Sequence, residues 1–514
     1  MHFHLLLNPA LVLGTIIVYF VAKFVVHLIS SHRALRHVPG PRPSSFLWGD
    51  EWLLYHSTPG VHYLRWHRQY GKVLRFTGAL GHQVLSITDP KAIKYILGEA
   101  IFDFPKPKGV RAWFKATLGE GILWVEGKDA HERQRRVLAP ALSQSSVRNL
   151  VPIFYETSAK VASQWTKLID DSHSDEAEIE VTRWAGRFAL DTVGRAAFSY
   201  DFDCLSGVPH ALAESLDGLT NNENKLSSFY MRALFWFFPS ILSIGEKGEM
   251  IRKSKLELGI IASDVWRDAQ VAGDVDGKDL MSIMLRAEAN STHKMSETEL
   301  VAQMRTTISA AYETVSAIIA WTLYELALDL RLQSELREEV TAALGDPSYD
   351  DLNSNLPLLD ATVREVLRLH PPILENHHEA RETICVPLSE PIAGTTDTHL
   401  VIPKGTILEI PVNVVQTDPN VWGPDAEIFR PERWLERKKR GIRHEREILA
   451  FSEGPRSCIG KAFALCEVKA LTITLLRHFD FSCPYEIEAF QSFVVRPRIK
   501  GQGPSSLPLI VRKI

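Results

Sequence analysis

Apolar residues follow three different rhythms along the chain. Leu5 to Ile29 is an almost unbroken run of Leu, Ile, Val, Phe and Ala. It is longer than the ~20 residues with which a helix crosses a bilayer, so residues 1–30 are expected to form a transmembrane helix. Asn8 and Pro9 sit near one end, and Lys23 and His27 near the other, where a lysine can snorkel to the headgroups. Only Met1, His2, Phe3 and His4 precede the run, whereas Arg33, Arg36 and Arg42 follow it. That order reads as an uncleaved signal anchor and not a cleaved signal peptide. Positive-inside logic then places a single-pass protein in the endoplasmic reticulum membrane, its body facing the cytosol, and leaves the sequon Asn290-Ser291-Thr292 unglycosylated. Pro39, Pro41 and Pro43 cannot continue the helix, because each lacks an N–H and restricts its predecessor. Residues 31–48 therefore read as a stiff hinge.

From Gly49 onward the rhythm changes. Strand-like runs occur at Val73–Phe76 and Val84–Ile87, and again between His399 and Val415. Glu299 to Leu330 carries apolar residues at helical spacing without Gly or Pro, which predicts one long, largely buried helix. Gln333 to Leu344, Leu356 to His370 and Lys461 to Leu476 predict three more, and Pro371-Pro372 halts the second of these. No fixed-period repeat and no alternating βαβ pattern is present. The expected fold class is mainly α with small β-sheets (α+β), a single domain over residues 49–514. No GxGxxG or GxxxxGK[ST] opens a helix, which argues against a nucleotide-binding domain.

The composition agrees with a globular body: 45% of the 514 residues are apolar and 23% charged. A formal charge of −4 gives no basic surplus to attract nucleic acid. Five cysteines are too few, and odd in number, for a disulfide framework, so a reducing compartment is expected. His131-Glu132 and His444-Glu445 lack a second histidine at zinc-hydrolase spacing, and His377-His378 are adjacent. One cysteine stands apart, in Phe451-Ser452-Glu453-Gly454-Pro455-Arg456-Ser457-Cys458-Ile459-Gly460. Gly454-Pro455 forces a turn, and Gly460 lets backbone approach a flat ligand. Arg456 offers a donor fork suited to a carboxylate. Cys458 lies where the loop enters a helix, whose amides and dipole favour a thiolate, with Phe451 placed to shield it.

This stretch resembles the signature Phe-x-x-Gly-x-Arg-x-Cys-x-Gly of the cytochrome P450 superfamily. Three further motifs resemble that family in order. Glu365-Val366-Leu367-Arg368, followed by Phe429-Arg430-Pro431-Glu432-Arg433-Trp434, resembles its structural network of Glu365, Arg368 and Arg433. Ala310-Ala311-Tyr312-Glu313-Thr314-Val315 resembles its oxygen-activation segment, with Ala311 replacing the usual glycine and Val315 the second hydroxyl. His131-Glu132-Arg133-Gln134-Arg135 resembles its propionate-clamping helix, with His131 at the tryptophan position.

The resemblance covers the chain after the hinge and implies haem b, with Cys458 as the iron ligand and Phe451, Arg456 and Gly460 around it. It further implies His131, Arg135 and Arg381 as propionate partners, Thr314 as the hydroxyl that hydrogen-bonds dioxygen, and Glu313 as a proton relay. The implied activity is that of a microsomal, membrane-anchored monooxygenase of fungal pattern, inserting one oxygen atom of O2 into a lipophilic small molecule such as a terpenoid or other secondary metabolite. Electrons are then expected from NADPH through a membrane-bound flavin-containing NADPH–cytochrome reductase, docked on Lys128, Arg133 and Arg136 or on Arg437 to Arg440. The alternatives are a reductase-independent haem-thiolate isomerase or dehydratase and a non-catalytic membrane haem-binding protein. Phe104 to Phe114, Leu205 to Ile244 and Ile373 to Asn376 are expected to line the substrate pocket. Phe229-Tyr230 and Phe235 to Phe238 are expected to dip into membrane lipid.

Overall fold

A computed structural model describes residues 9–208, 210–220, 226–272, 280–289, 295–440, 448–491 and 493–514. The sequon at Asn290 and the pair His444-Glu445 lie outside them. The long periodic segment forms the helix Glu297–Leu328. A capping box starts it: Ser296 Oγ accepts the Glu299 N–H, and the Glu299 carboxylate accepts the Ser296 N–H. Apolar on nearly every side, this helix becomes the axis of the body. It packs against Val181–Phe198, Pro357–Leu369 and Lys461–Leu476, and the last of these lies on Gln144–Asp171. Trp165, Phe154, Phe188 and Trp321 fill the shared core, each worth about 2–3 kcal/mol relative to exposure.

The strands gather at one side. Val73–Thr77, Gln83–Ile87, Ile407–Pro411 and Glu375–Glu379 form one sheet in that order, its central pairing parallel and the outer two antiparallel. The run expected between His399 and Val415 divides in three. His399–Ile402 pairs with Ile384–Pro387, Ile407–Pro411 joins the larger sheet, and Val412–Gln416 turns helical. The molecule is mainly helical with small sheets, as expected.

The expected membrane anchor is corrected by the structure. Among the described residues no helix is long and apolar enough to cross a membrane, so the single-pass endoplasmic reticulum placement falls with it. The leading helix, Pro9–Ala34, carries Lys23, His27, Ser30, Ser31, His32 and Arg33 in its second half. That half leans on the body: Phe24 meets Phe237 edge-on at 5.4 Å, and Leu35 and Val38 just beyond it are buried in the sheet-side core. The proline segment is stitched to the first strand. Arg75 donates from its backbone N to Pro39 O at 2.9 Å and from Nε to Val38 O at 3.0 Å. A Cβ on Gly40 would lie 1.7 Å from Arg75 O, so this close approach requires glycine. Phe229, expected at a lipid surface, is buried against Trp48 and Trp52, although Tyr230 and Phe238 are exposed.

The motif around Glu365 closes the core beneath the central helix. Arg368 donates to both Glu365 oxygens at 2.8 and 2.7 Å, Arg433 Nε to Oε1 at 2.8 Å, and Trp434 Nε1 to Oε2 at 2.9 Å. The two guanidiniums spend their other N–H groups on the carbonyls of Gln416, Ala426, Trp422, Asp425 and Ile428. Glu365 and Arg368 have no exposed surface. A buried ion group is tolerable only when saturated in this way.

A second buried charge group joins the helix Leu226–Leu234 to the sheet. Arg232 Nη2 donates to both Glu375 oxygens at 3.1 and 3.3 Å and its Nε lies 3.9 Å from Glu51. Tyr63 donates to Glu375 at 3.2 Å, and Ser86 to the fully buried Glu409 at 3.0 Å. Burial pushes the Glu51 carboxyl up to about 7 and Glu409 well above the carboxylate range. Burial acts on Glu375 as well, but Arg232 and His377 outweigh it and hold that carboxyl low.

Candidate functional site

The cysteine loop is shaped by backbone constraints. Cys458 N donates to Phe451 O at 2.8 Å and closes the loop. Gly454 adopts φ +71°, and a Cβ there would lie 2.1 Å from Leu97 O, so glycine alone lets the loop rest on the turn Tyr95–Glu99. Gly460 caps the helix Lys461–Leu476. A Cβ at 460 would meet only the Cys458 sulfur, at 4.0 Å, so the sulfur stays uncovered on that side. Cys458 is exposed, yet burial pushes its thiol pKa up, outweighing the Gly460 amide, Arg135 and Lys461. An accessible sulfur with a desolvated thiol lines an interior cleft, not the outer surface. The helix terminus alone therefore does not make the thiolate; coordination to a metal deprotonates a thiol outright.

The helix Lys128–Leu138 brings His131 and Arg135 to the loop one turn apart on one face. Arg135 Nη1 donates to Ser457 O at 2.9 Å. The buried His131 ring lies 5.9 Å from Phe102, whose face carries the Arg456 guanidinium at 5.3 Å. Burial, then the cations Arg456, Lys106 and Arg135, push the His131 pKa down to about 4, so its imidazole is neutral. Arg456 pairs with Glu126, which also accepts from Lys106 N at 3.0 Å and Lys106 Nζ at 3.2 Å. His131 Nδ1 and Arg456 Nε are buried without a hydrogen-bond partner among the described residues. Leaving a buried donor unpaired costs about 1–3 kcal/mol, so the two mark a place for an acidic ligand group. Arg381 is exposed, and its backbone N–H donates to Asp103 O at 2.9 Å. It flanks the same strip without joining these side chains.

Across the cleft lies the central helix. Ala311 and Ile459 both pack against one apolar cluster, and the central helix packs on Lys461–Leu476, the helix that follows the cysteine loop. Thr314 is half-buried, and its Oγ1 donates to Ala310 O at 2.8 Å. Glu313 is buried and accepts from Arg496 Nη2 at 2.7 Å, and the same nitrogen reaches Ser316 Oγ at 3.1 Å. Tyr312 OH donates to Asp217 at 2.5 Å. The acid thus has a buried cationic partner, as a buried carboxylate requires, on the strand Val495–Ile499. Phe104 and Leu205, which begin two of the expected pocket segments, are buried in the core; residues 209 and 221–225 of the expected pocket wall lie outside the described residues. Sequence reasoning missed Arg496, Glu126 and Lys106. Their only signal is a charge set among apolar neighbours, as in Val494-Val495-Arg496.

Residues 38–500 match the family profile of cytochrome P450. The chain belongs to the cytochrome P450 family. It is 34% identical to cytochrome P450 monooxygenase claQ of Ampulloclitocybe clavipes, with 92% of each chain covered. It is 32% identical to claP of the same fungus over 97% of each chain. Cytochrome P450 monooxygenase 205 of Postia placenta is 31% identical over 93% of each. The protein is accordingly an oxygen-incorporating oxidoreductase that uses haem b and NADPH-derived electrons passed on by a redox partner. The residues present fit that cofactor. Cys458 offers an accessible soft donor, and the unpaired donors of His131 and Arg456 match the haem carboxylates.

Proposed function

We propose that this cytochrome P450 oxidises a lipophilic small molecule, a terpenoid or another secondary metabolite, with Cys458 as the iron ligand and an NADPH–cytochrome reductase as electron donor. The observation that carries the reading is the uncovered Cys458 sulfur, lining an interior cleft beside two buried, unpaired donors. When bound, haem supplies the oxygen-activating and one-electron chemistry. The chain's residues hold and serve it. Cys458 contributes the thiolate, Gly460 keeps that sulfur clear, and Phe451 screens it from water. His131, Arg135 and Arg456 hold the carboxylates, with Arg381 at the rim. Thr314, whose Oγ1 rests on Ala310 O, would offer its hydroxyl to bound dioxygen, and Glu313, held by Arg496, would pass protons toward it.

The same acid–alcohol pair favours oxygenation over a reductase-independent isomerase or dehydratase, and over a non-catalytic haem-binding protein. Residues 49–514 act as one haem-centred unit behind the segment 31–48. The lipophilic substrate is supported by the apolar side chains of Trp113, Phe114 and Ile373, and the terpenoid class by the fungal resemblance alone. Arg133 is committed to Glu299, so the reductase-facing charge reduces to Lys128, Arg136 and the run from Arg437, whose own Nη1 is engaged by Val421 O.

The test is spectral. Reduced protein with carbon monoxide should show the long-wavelength band of thiolate-ligated haem, and Cys458→Ala should lose it. A Cys458→Ala protein with the unaltered band overturns the assignment.

A further inference from the structure

Glu126 carries no role in the reading above, yet it sits at the centre of the cationic side of the cleft. Arg456 meets it through both terminal nitrogens, Nη1 to Oε1 at 3.0 Å and Nη2 to Oε2. Oε1 also takes the Lys106 backbone N–H at 3.0 Å and its Nζ at 3.2 Å. The three side chains are nearly buried, 12% exposed for Glu126, 9% for Arg456 and 17% for Lys106. One carboxylate therefore ties together the segment at Lys106, the chain leading into the His131 helix, and the cysteine loop. Two consequences follow from this geometry. With each terminal nitrogen bonded to the carboxylate, Nε is the guanidinium nitrogen left buried without a partner. Glu126 also cancels one of the positive charges that Lys106, Arg135 and Arg456 bring to a poorly solvated place.

We infer that Glu126 is the positioning residue of the haem seat: it locks the Arg456 guanidinium in the orientation that presents Nε to a haem carboxylate, and its charge keeps the iron harder to reduce. The inference rests on the haem seat proposed above. A negative charge near the cofactor stabilises ferric over ferrous iron, because the ferric form carries one more positive charge. Removing it also leaves Arg456 uncompensated, which acts in the same direction.

The experiment compares haem-loaded wild type, Glu126→Gln and Glu126→Asp by three readouts. These are the reduced carbon monoxide band, the ferric–ferrous equilibrium against a redox dye, and the rate of haem transfer to excess apomyoglobin. The band should be the same in all three proteins. Glu126→Gln should move the equilibrium toward ferrous iron by roughly three- to tenfold at fixed ambient potential, and haem transfer should be about tenfold faster. Glu126→Asp retains the charge and loses reach, so its equilibrium should stay within about twofold of wild type while transfer quickens. A normal band with an unmoved equilibrium in Glu126→Gln overturns this inference alone and leaves Glu126 a brace. If Glu126→Gln takes up no haem, Glu126→Asp decides: faster transfer at an unchanged equilibrium supports the inference, and wild-type transfer overturns it. A wild type without the band overturns the haem seat itself, and the inference with it.

Discussion

Glu51 is a carboxyl held inside the protein at a cost that depends on pH, and Glu51→Gln isolates that cost. Its side chain is 7% exposed, and its pKa is raised from 4.5 to about 7, chiefly by burial. The folded protein therefore binds the proton more tightly than the unfolded chain, and the stability tied to that proton is complete below pH 4.5. It is lost as pH rises toward 7, because the unfolded state releases the proton first. A difference of about 2.5 units at 1.36 kcal/mol each gives about 3 kcal/mol as the full loss. Arg232 lies 3.9 Å away and already moderates the effect. Glutamine keeps the size and cannot ionise, so the variant should lack this slope. The assay is the apparent melting temperature of haem-loaded wild type and variant at one scan rate, from pH 4.5 to 8. The difference between the two proteins is the observable, since every other group titrates in both. Relative to wild type, Glu51→Gln should gain stability steadily with rising pH, by a few degrees across the window. Parallel curves, or a variant that falls behind as pH rises, would refute the reasoning.

Two further outcomes follow from the same geometry. Thr314→Ala should keep haem and substrate-induced spectral change while product per NADPH falls roughly tenfold and hydrogen peroxide rises; unchanged coupling denies Thr314 its role. Arg433→Ala should leave the Glu365 carboxylate short of a buried charge partner and destabilise the fold by about 3–5 kcal/mol, read as loss of haem-loaded protein on expression, while Arg433→Lys should recover only part of it because one ammonium cannot reach the four partners of the guanidinium.

The periodicity of apolar residues located four helices within a few residues because each turns apolar side chains to the core at helical spacing, whereas Gln144–Asp171 and Gly245–Ala272 were not singled out. Lys461–Leu476 begins and ends where the pattern does. Short elements were less legible. Val412–Gln416 is helical inside an apolar stretch that reads equally well as strand, because one turn shows no period. The leading apolar run misled for a related reason. Hydropathy reports that a segment avoids water and not what covers it, and here Phe24 meets Phe237 while Val18, Val21, Val25, Val26 and Ile29 stay exposed. The cysteine loop, the Glu365 network and the acid–alcohol pair were all legible as motifs. Their partners Glu126 and Arg496 were not, since each meets its ion-pair partner only through the fold, Arg456 and Glu313 lying far away in sequence.

The Glu365 network also orders events in time. A ribosome delivers Glu365 and Arg368 well before Arg433, and Cys458 later still. Until Arg433 and Trp434 emerge, the Glu365 carboxylate has Arg368 but lacks its other two side-chain donors, so the seat of the helix Pro357–Leu369 against the core is incomplete. With Cys458 as the proposed ligand, haem is expected to be captured only by a chain whose synthesis is nearly complete. Premature termination anywhere upstream of residue 433 should therefore yield an open, protease-sensitive product and not a smaller haem protein.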